Sequence, residues 1–331
     1  MVENAGHSAP RSCCEGGVMT VGTTASDSPE DRLELQRGYQ ASCDIVRDRA
    51  RNFWYGLKLT PEPKRSALYA IYAWMREVDD IADDPGPTVT QRRASLEAFR
   101  DRTRRVFEGV REPNPPGCEW WIAFADVVDS YPVELEPFEE MIQGQLLDLE
   151  WTSCRDRESL EHFCRLVAST VGAICIRVWG HDDHPEVPEQ ATSRGIALQI
   201  TNVLRDLRED LERGRVYLPA DELEEAGLEI DDLLGWRVPD RCTQFMRDQV
   251  ARARVHYRRS DGLESHLDPT CRGTSWAMCE IYRGILDRID DDPERVVRER
   301  VGLGSWRKAG IAWKARRMAK SVRAVPTERR R

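Results

Sequence analysis

From Leu33 onward apolar residues recur every three or four positions, the repeat of an amphipathic helix, and strand-like alternation between turn residues is hard to find anywhere. The pattern breaks at Thr60-Pro61-Glu62-Pro63, Asp84-Pro85-Gly86-Pro87, Pro113 to Gly117, Tyr131-Pro132, His181 to Pro188 and Leu218-Pro219. Proline lacks an N–H and restricts the residue before it, so helices end at such places; the breaks delimit roughly seven to ten of them. There is no repeat of fixed period and no long central linker. The expected architecture is therefore one all-α domain over residues 33–318. Residues 1–32 are rich in Gly, Ser, Thr and Glu and poor in large apolar groups that would offset the entropy of ordering, so they are expected to be a disordered tail, and residues 319–331 a basic one.

Composition narrows the picture. With 40% hydrophobic and 32% charged residues in 331, the chain can bury a real core, and 49 basic against 58 acidic side chains, a net of −9, argue against a nucleic-acid binder. The uncharged central stretch Leu166–Ile176 falls short of the about 20 residues a bilayer span requires. Ten cysteines without paired CxxC spacing are expected to be reduced and mostly buried, and the N-terminus shows no basic-then-apolar leader. The expected location is cytoplasmic.

Two segments carry chemistry. Leu68 to Asp83 reads as one helix on which Tyr72, Arg76, Asp79 and Asp83 fall within a narrow arc, with the two aspartates stacked about 6 Å apart along the axis. Such a pair can share hard divalent cations, which in magnesium's case keep waters and bind substrate phosphates. One pair carries little weight, because a chain this acidic contains about ten i,i+4 acidic pairs by chance, most of them solvated. The second segment, Gln199 to Asp210, changes the weight. There Ile196, Ile200, Val203, Leu207 and Leu211 form an apolar stripe, and Gln199, Asn202, Asp206 and Asp210 form a polar stripe directly beside it. Polar groups bordering a core stripe look inward, where unpaired they cost several kcal/mol, so they call for a ligand or metal. Arg205, Arg215 and the Gly214 turn before Tyr217-Leu218-Pro219 add cations suited to a diphosphate.

With these residues in view, the chain resembles the phytoene/squalene synthases of head-to-head prenyl coupling. Arg76-Glu77-Val78-Asp79-Asp80-Ile81-Ala82-Asp83 looks like the first aspartate-rich motif of that family, and Gln199 to Asp210 followed by Arg213-Gly214-Arg215-Val216-Tyr217-Leu218-Pro219 looks like the second. Ile142 to Leu149, Phe163 to Gly172 and Tyr282-Arg283-Gly284-Ile285-Leu286 extend the likeness over roughly residues 38–315. The resemblance implies an isoprenoid synthase helical bundle with the acid pairs on opposite walls of a central cavity. It implies Mg2+ held by Asp79, Asp83, Asp206 and Asp210, a departing diphosphate held by Arg76, Arg205 and Arg215 with Gln199, Asn202 and Tyr217, and an allylic cation sheltered in an apolar chamber. Phe53, Tyr69, Phe163 and Trp276 are the aromatic candidates for that chamber, while most tryptophans, Trp54 and Trp74 among them, read first as packing.

One departure stands out. The family usually has a tyrosine where this chain has Phe163, which cannot exchange a proton, so Tyr72, Tyr217 or Tyr282 would have to take that role or the activity is altered. Within the family, Val167-Ala168-Ser169, Ile176 to Gly180 and Asn202 to Leu207 look most like the presqualene diphosphate synthases of bacterial squalene and hopanoid formation. The motifs thus favour two farnesyl diphosphates as substrates, with phytoene from two geranylgeranyl diphosphates, as in carotenoid biosynthesis, the alternative. A non-catalytic member of the fold is a further alternative. No glycine-rich dinucleotide fingerprint follows a strand, so NADPH is not predicted.

Two other features remain. His181-Asp182-Asp183-His184 invites a metal-hydrolase reading, but its place between Gly180 and Pro185 favours a solvated interhelical turn. The stretch from Gly302 to Arg331 holds ten basic residues and one acid, with Trp306, Ala309, Gly310 and Trp313 spaced as one helix face. It reads equally as a solvated tail or as a basic helix on an anionic membrane surface. Oligomeric state leaves no signal in the sequence.

Overall fold

The computed structural model describes residues 28–50 and 56–323, with side chains through Met318. The first helix, α1 (Pro29–Arg49), begins four residues before the expected Leu33. Ser28 caps it: its hydroxyl accepts from the Asp31 N–H at 3.1 Å, and the Asp31 carboxylate accepts from the Ser28 N–H at 3.0 Å. There follow α2 (Lys64–Asp83), α3 (Val89–Phe107), α4 (Trp120–Ser130), α5 (Glu136–Asp148), α6 (Arg157–Cys164), a π-helical turn (Arg165–Ser169), α7 (Thr170–Trp179) and α8 (Val187–Arg205). The chain continues through α9 (Leu207–Glu212), α10 (Ala220–Glu225), α11 (Ile230–Gly235), α12 (Pro239–Arg259), α13 (Leu263–His266), α14 (Arg272–Asp291), α15 (Arg295–Arg298) and α16 (Ser305–Arg323). No β-strand occurs among the described residues, only isolated bridges at Cys154/Pro219 and His181/Leu267. Residues 1–27, Phe53, Trp54 and 324–331 lie outside the described residues.

Two hydrophobic centres hold the bundle. The first lies among α1 to α5, where the Trp74 ring sits 4.9 Å from Phe138 in an edge-on contact and its indole N–H donates to the Thr103 hydroxyl at 3.0 Å. Trp74 is thus core, far from any cavity role. The second surrounds α8, α12 and α14, with Ile200, Leu204, Phe245 and Ile285 buried together. Between them runs the continuous helix formed by α6, the π turn and α7. Its 23 residues, Arg157–Trp179, are long and apolar enough to cross a membrane, yet α5 and α8 pack against it.

Glycines let α5 and α8 approach that central helix. A Cβ on Gly195 would lie 2.5 Å from the Ser169 Cα and 2.6 Å from its N, and one on Gly144 would lie 2.7 Å from Val167 Cγ1. Both contacts fall on the π turn, an irregularity that turns Val167 and Ala168 toward the space between the helices. Gly172, singled out for close packing, faces the Ala191 carbonyl, 3.2 Å from where its Cβ would be.

Candidate functional site

A cavity of about 480 Å³ opens between α2, α5, the central helix, α8 and α14. Tyr72, Arg76, Asp79 and Asp83 line it from α2, as the helical spacing predicts. Gln199, Asn202, Asp206 and Asp210 line it from the facing segment, and Arg205, Arg215, Tyr217 and Phe163 also reach it. Leu68, Ile71, Met141, Val171, Trp179 and Met278 make its remaining surface apolar. One end is acidic and the rest is greasy.

The second acidic segment is not one straight helix. It bends at Asp206, whose φ of −99° and ψ of 10° separate α8 from α9, although the hydrogen-bond ladder continues from the Asp206 N–H to Asn202 O at 2.8 Å and from the Asp210 N–H to Asp206 O at 2.9 Å. The bend keeps both aspartates on the cavity side.

The surroundings treat one aspartate on each wall alike and set Asp206 apart. Asp79 accepts from Gln145 Nε2 at 2.8 Å and has Arg76 at 4.0 Å, while Arg76 pairs more closely with Asp80. Burial pushes the Asp79 carboxyl up to about 7; Arg76 opposes the shift, and Asp83, Asp80 and Asp148 reinforce it. Asp210 is likewise pushed up to about 7, first by burial and then by Asp206, against Arg213 and Arg215. Asp206 is instead gripped by two guanidinium groups: Arg205 Nε at 2.8 Å with a second Arg205 contact, and Arg300 Nε at 3.1 Å. Arg215 ties the walls together, with Nη1 3.0 Å from Asp83 Oδ1 and 3.1 Å from Asp148 Oδ2.

Crowded carboxylates held partly protonated are sites short of positive charge. Asn202 Oδ1 adds a buried acceptor without a hydrogen-bond partner at the same wall. This all-oxygen donor set suits Mg2+, which takes carboxylate and carbonyl oxygens and retains waters. Among the described residues no three His, Cys, Asp or Glu side chains close around one point as a ready-made metal shell. The acids come instead as two pairs, from α2 and from the α8–α9 segment, that line the same cavity.

Several expected roles shift. Arg205, expected on the diphosphate, is 7% exposed and its fork is committed to Asp206, the next residue, with the Tyr282 hydroxyl beside it. Tyr282, expected among the catalytic groups, is buried behind that wall; its hydroxyl meets Arg205 and Asn202, and it does not line the cavity. Tyr69 is packed into the first hydrophobic centre, and Trp276 lies under the Lys314 ammonium at 4.5 Å, so neither lines the cavity. Of the aromatic candidates described, Phe163 alone does. It packs against Tyr217 and Trp151 at 5.0 Å each, in a cluster of three rings whose other two centroids are 5.7 Å apart. The Tyr217 hydroxyl donates to Asp148 Oδ1 at 2.5 Å; burial and that carboxylate raise its pKa.

Gln145, Asp148, Trp179 and Arg300 were not among the candidates drawn from the sequence. Gln145 and Asp148 stand three residues apart in Ile142 to Leu149, the only polar side chains between Gly144 and Leu149, and that inward i,i+3 pairing was the available signal. His181 to His184 lie away from the cavity: His184 stacks on His266 at 4.2 Å, and His266 Nδ1 is 3.1 Å from Asp182.

Residues 46–307 match the family described as squalene/phytoene synthase. A 15-cis-phytoene synthase of Synechococcus elongatus is 35% identical over 285 residues, 83% of this chain and 91% of its own length. A phytoene synthase of Mycobacterium tuberculosis is 36% identical over 304 residues, 88% of this chain and 94% of its own. Among solved structures, a squalene synthase HpnC from Alicyclobacillus acidocaldarius superposes with a TM-score of 0.70 at 27% identity, covering 78% of this chain and 95% of that one. A dehydrosqualene synthase shares the fold with a TM-score of 0.72 at 23% identity, covering 87% and 99%.

Proposed function

The chain belongs to the squalene/phytoene synthase family, prenyltransferases of head-to-head coupling, and from that premise we propose that it condenses two geranylgeranyl diphosphates to phytoene. The observation that carries the chemistry is the meeting of Asp79, Asp83, Asp206 and Asp210, from two walls, at the polar end of one apolar cavity. The phytoene assignment is supported by relatives at 35% and 36% identity that span most of this chain and bear that name. It displaces the presqualene diphosphate favoured by the motifs. The 27% identity with squalene synthase HpnC keeps two farnesyl diphosphates as the second reading.

In this reading the four aspartates hold Mg2+, whose charge, when bound, stabilises the diphosphate as it leaves. Arg76 and Arg215, both at the cavity, orient and neutralise the same group. Arg205 acts through Asp206, fixing its carboxylate rather than touching phosphate. The apolar walls exclude water from the allylic cation, and the face of Phe163 offers it a π surface, an interaction of about 0.5 to 2 kcal/mol. Tyr217, against Phe163 and tied to Asp148, supplies the hydroxyl that position 163 lacks.

Incubation with geranylgeranyl or farnesyl diphosphate, with Mg2+ and with or without NADPH, followed by mass analysis, tests the proposal. Phytoene from the longer substrate, formed without NADPH, is the expected product. Presqualene diphosphate or squalene from farnesyl diphosphate alone would establish the second reading. Pyrophosphate release without a coupled product would overturn both.

A further inference from the structure

Charge is segregated along this chain. The ten basic residues and one acid after Val301 amount to +9 in a protein whose total is −9, leaving −18 on everything before them. Helix α16 carries the start of that basic stretch on the surface. Its inner side is settled against α14: Ala315 is 1% exposed, and its carbonyl would lie 2.4 Å from a Cβ on Gly273, while Leu303 covers Gly284.

The outer side is unusual for a soluble surface. Trp306 is 92% exposed and Trp313 is 61% exposed. Seven residues apart, they share one helix face, and only the exposed Ala309 and Gly310 lie between them on it. Arg317 continues the face with its guanidinium 4.8 Å from the Trp313 ring. Among the described residues Arg307, Lys314, Arg316 and Arg317 form no ion pair with an acid.

We propose that this face of α16 docks on anionic lipid bilayers, with Trp306 and Trp313 at headgroup depth and Arg307, Arg316 and Arg317 against lipid phosphates. Indoles are amphipathic and favour the membrane–water boundary. Uncompensated cations bordering them are drawn to an anionic surface, whereas pairing this face with the same face of a second copy would set like charges against each other, which selects a bilayer over symmetric self-association. The placement has a consequence for any hydrocarbon product. Ser275, Met278 and Cys279 of α14 line the cavity, so one helix separates the docked face from the chamber. The docking argument itself holds whichever prenyl chain the enzyme uses.

Flotation of the full chain with phosphatidylcholine vesicles, and with vesicles also containing phosphatidylglycerol, tests this. The protein should float with the anionic vesicles and sink with the neutral ones, and high salt should release it. Trp306→Ser with Trp313→Ser should weaken binding at least tenfold. Arg307→Gln, Arg316→Gln and Arg317→Gln together should weaken it on the order of a hundredfold, at about fivefold per charge. Prenyl coupling in detergent should stay unchanged in both variants, showing that they fold. Should either variant fold poorly, the lipid and salt dependence of the unaltered chain decides alone. Failure to float with anionic vesicles at low salt, flotation of both variants like the parent, or a tryptophan-dependent dimer that ignores lipid would overturn the proposal. Coupling activity without vesicle binding would sink it while leaving the proposed reaction intact.

Discussion

Phe163 lies flat against Tyr217, their ring centroids 5.0 Å apart and their planes inclined by 17°, and only the second ring carries a hydroxyl. That hydroxyl is held by Asp148, which also receives Arg215, so a phenol, a carboxylate and a guanidinium are linked at the cavity edge. Tyr217→Phe should therefore have two effects. Asp148 loses a buried donor, lowering stability by about 1–3 kcal/mol. Coupling slows on the order of a hundredfold if Tyr217 moves a proton. Phe163→Tyr alone should change turnover only a fewfold, and in the Tyr217→Phe background should restore part of it. Thermal melts and steady-state turnover on the three variants check this; full activity of Tyr217→Phe would remove Tyr217 from the mechanism.

The unequal company of Asp79 and Asp206 predicts unequal stability effects from the same substitution. Asp79 is crowded by Asp80, Asp83 and Asp148, so Asp79→Asn relieves repulsion, keeps a partner for Gln145, and should leave the melting temperature equal or higher. Asp206→Asn strips the counter-charge from Arg205 and Arg300 and should cost about 1–3 kcal/mol. Both should abolish coupling while leaving a folded helical protein. Circular dichroism melts beside product analysis separate the cases, and near-normal turnover in either variant would refute the assignment of the acid pairs.

Protonation gives a third expectation. Asp79 and Asp210 are pushed up to about 7 from a usual value of 3.8, so between about pH 4 and 7 the folded protein binds more protons than the unfolded chain. Stability of the metal-free protein should then fall as pH rises through that window. Mg2+ requires the ionised carboxylates, so its affinity should rise from pH 6 to pH 8, and its stabilising effect on the melt should be largest at the alkaline end. Calorimetric melts with and without Mg2+ across that range measure both slopes. A Mg2+ effect independent of pH would contradict the two-wall cation site.

Much of this site is legible in the sequence because a helix converts spacing into direction. Arg76, Asp79 and Asp83 had to share a face once Leu68 to Asp83 was a helix, and the polar stripe beginning at Gln199 had to border the core. Periodicity does not distinguish an apolar face that meets another helix from one that meets a cavity. Tyr69 and Trp276 therefore looked as eligible as Phe163, although one packs into the core and the other lies beneath Lys314. Nor does it reveal tertiary partners. Asp148 owes its role to Tyr217, 69 residues on, and the break at Asp206 leaves no proline or glycine to mark it. Arg205 looked like a phosphate ligand until the neighbouring carboxylate claimed it.

Chain length should be set at the end of the cavity farthest from the acids. Helix α2 carries Asp83 at one end of the lining and Leu68, fifteen residues and about 22 Å away, toward the other. Trp179 belongs to that far end, because its carbonyl accepts from Lys64, the first residue of α2, at 2.5 Å, while the residue itself lines the cavity. Ile71 lies partway along. A larger side chain there should shorten the space available to a prenyl tail, and a smaller one at Trp179 should lengthen it. With equal farnesyl and geranylgeranyl diphosphate in competition, Ile71→Phe should move the product ratio toward the shorter chain by at least about tenfold, the scale of a steric change in an apolar pocket. Trp179→Ala should move it the opposite way, since the space a truncated tryptophan leaves can admit further methylenes of the longer tail. If neither substitution alters the ratio, the tails do not run along α2 and the orientation of the substrates in this cavity must be redrawn.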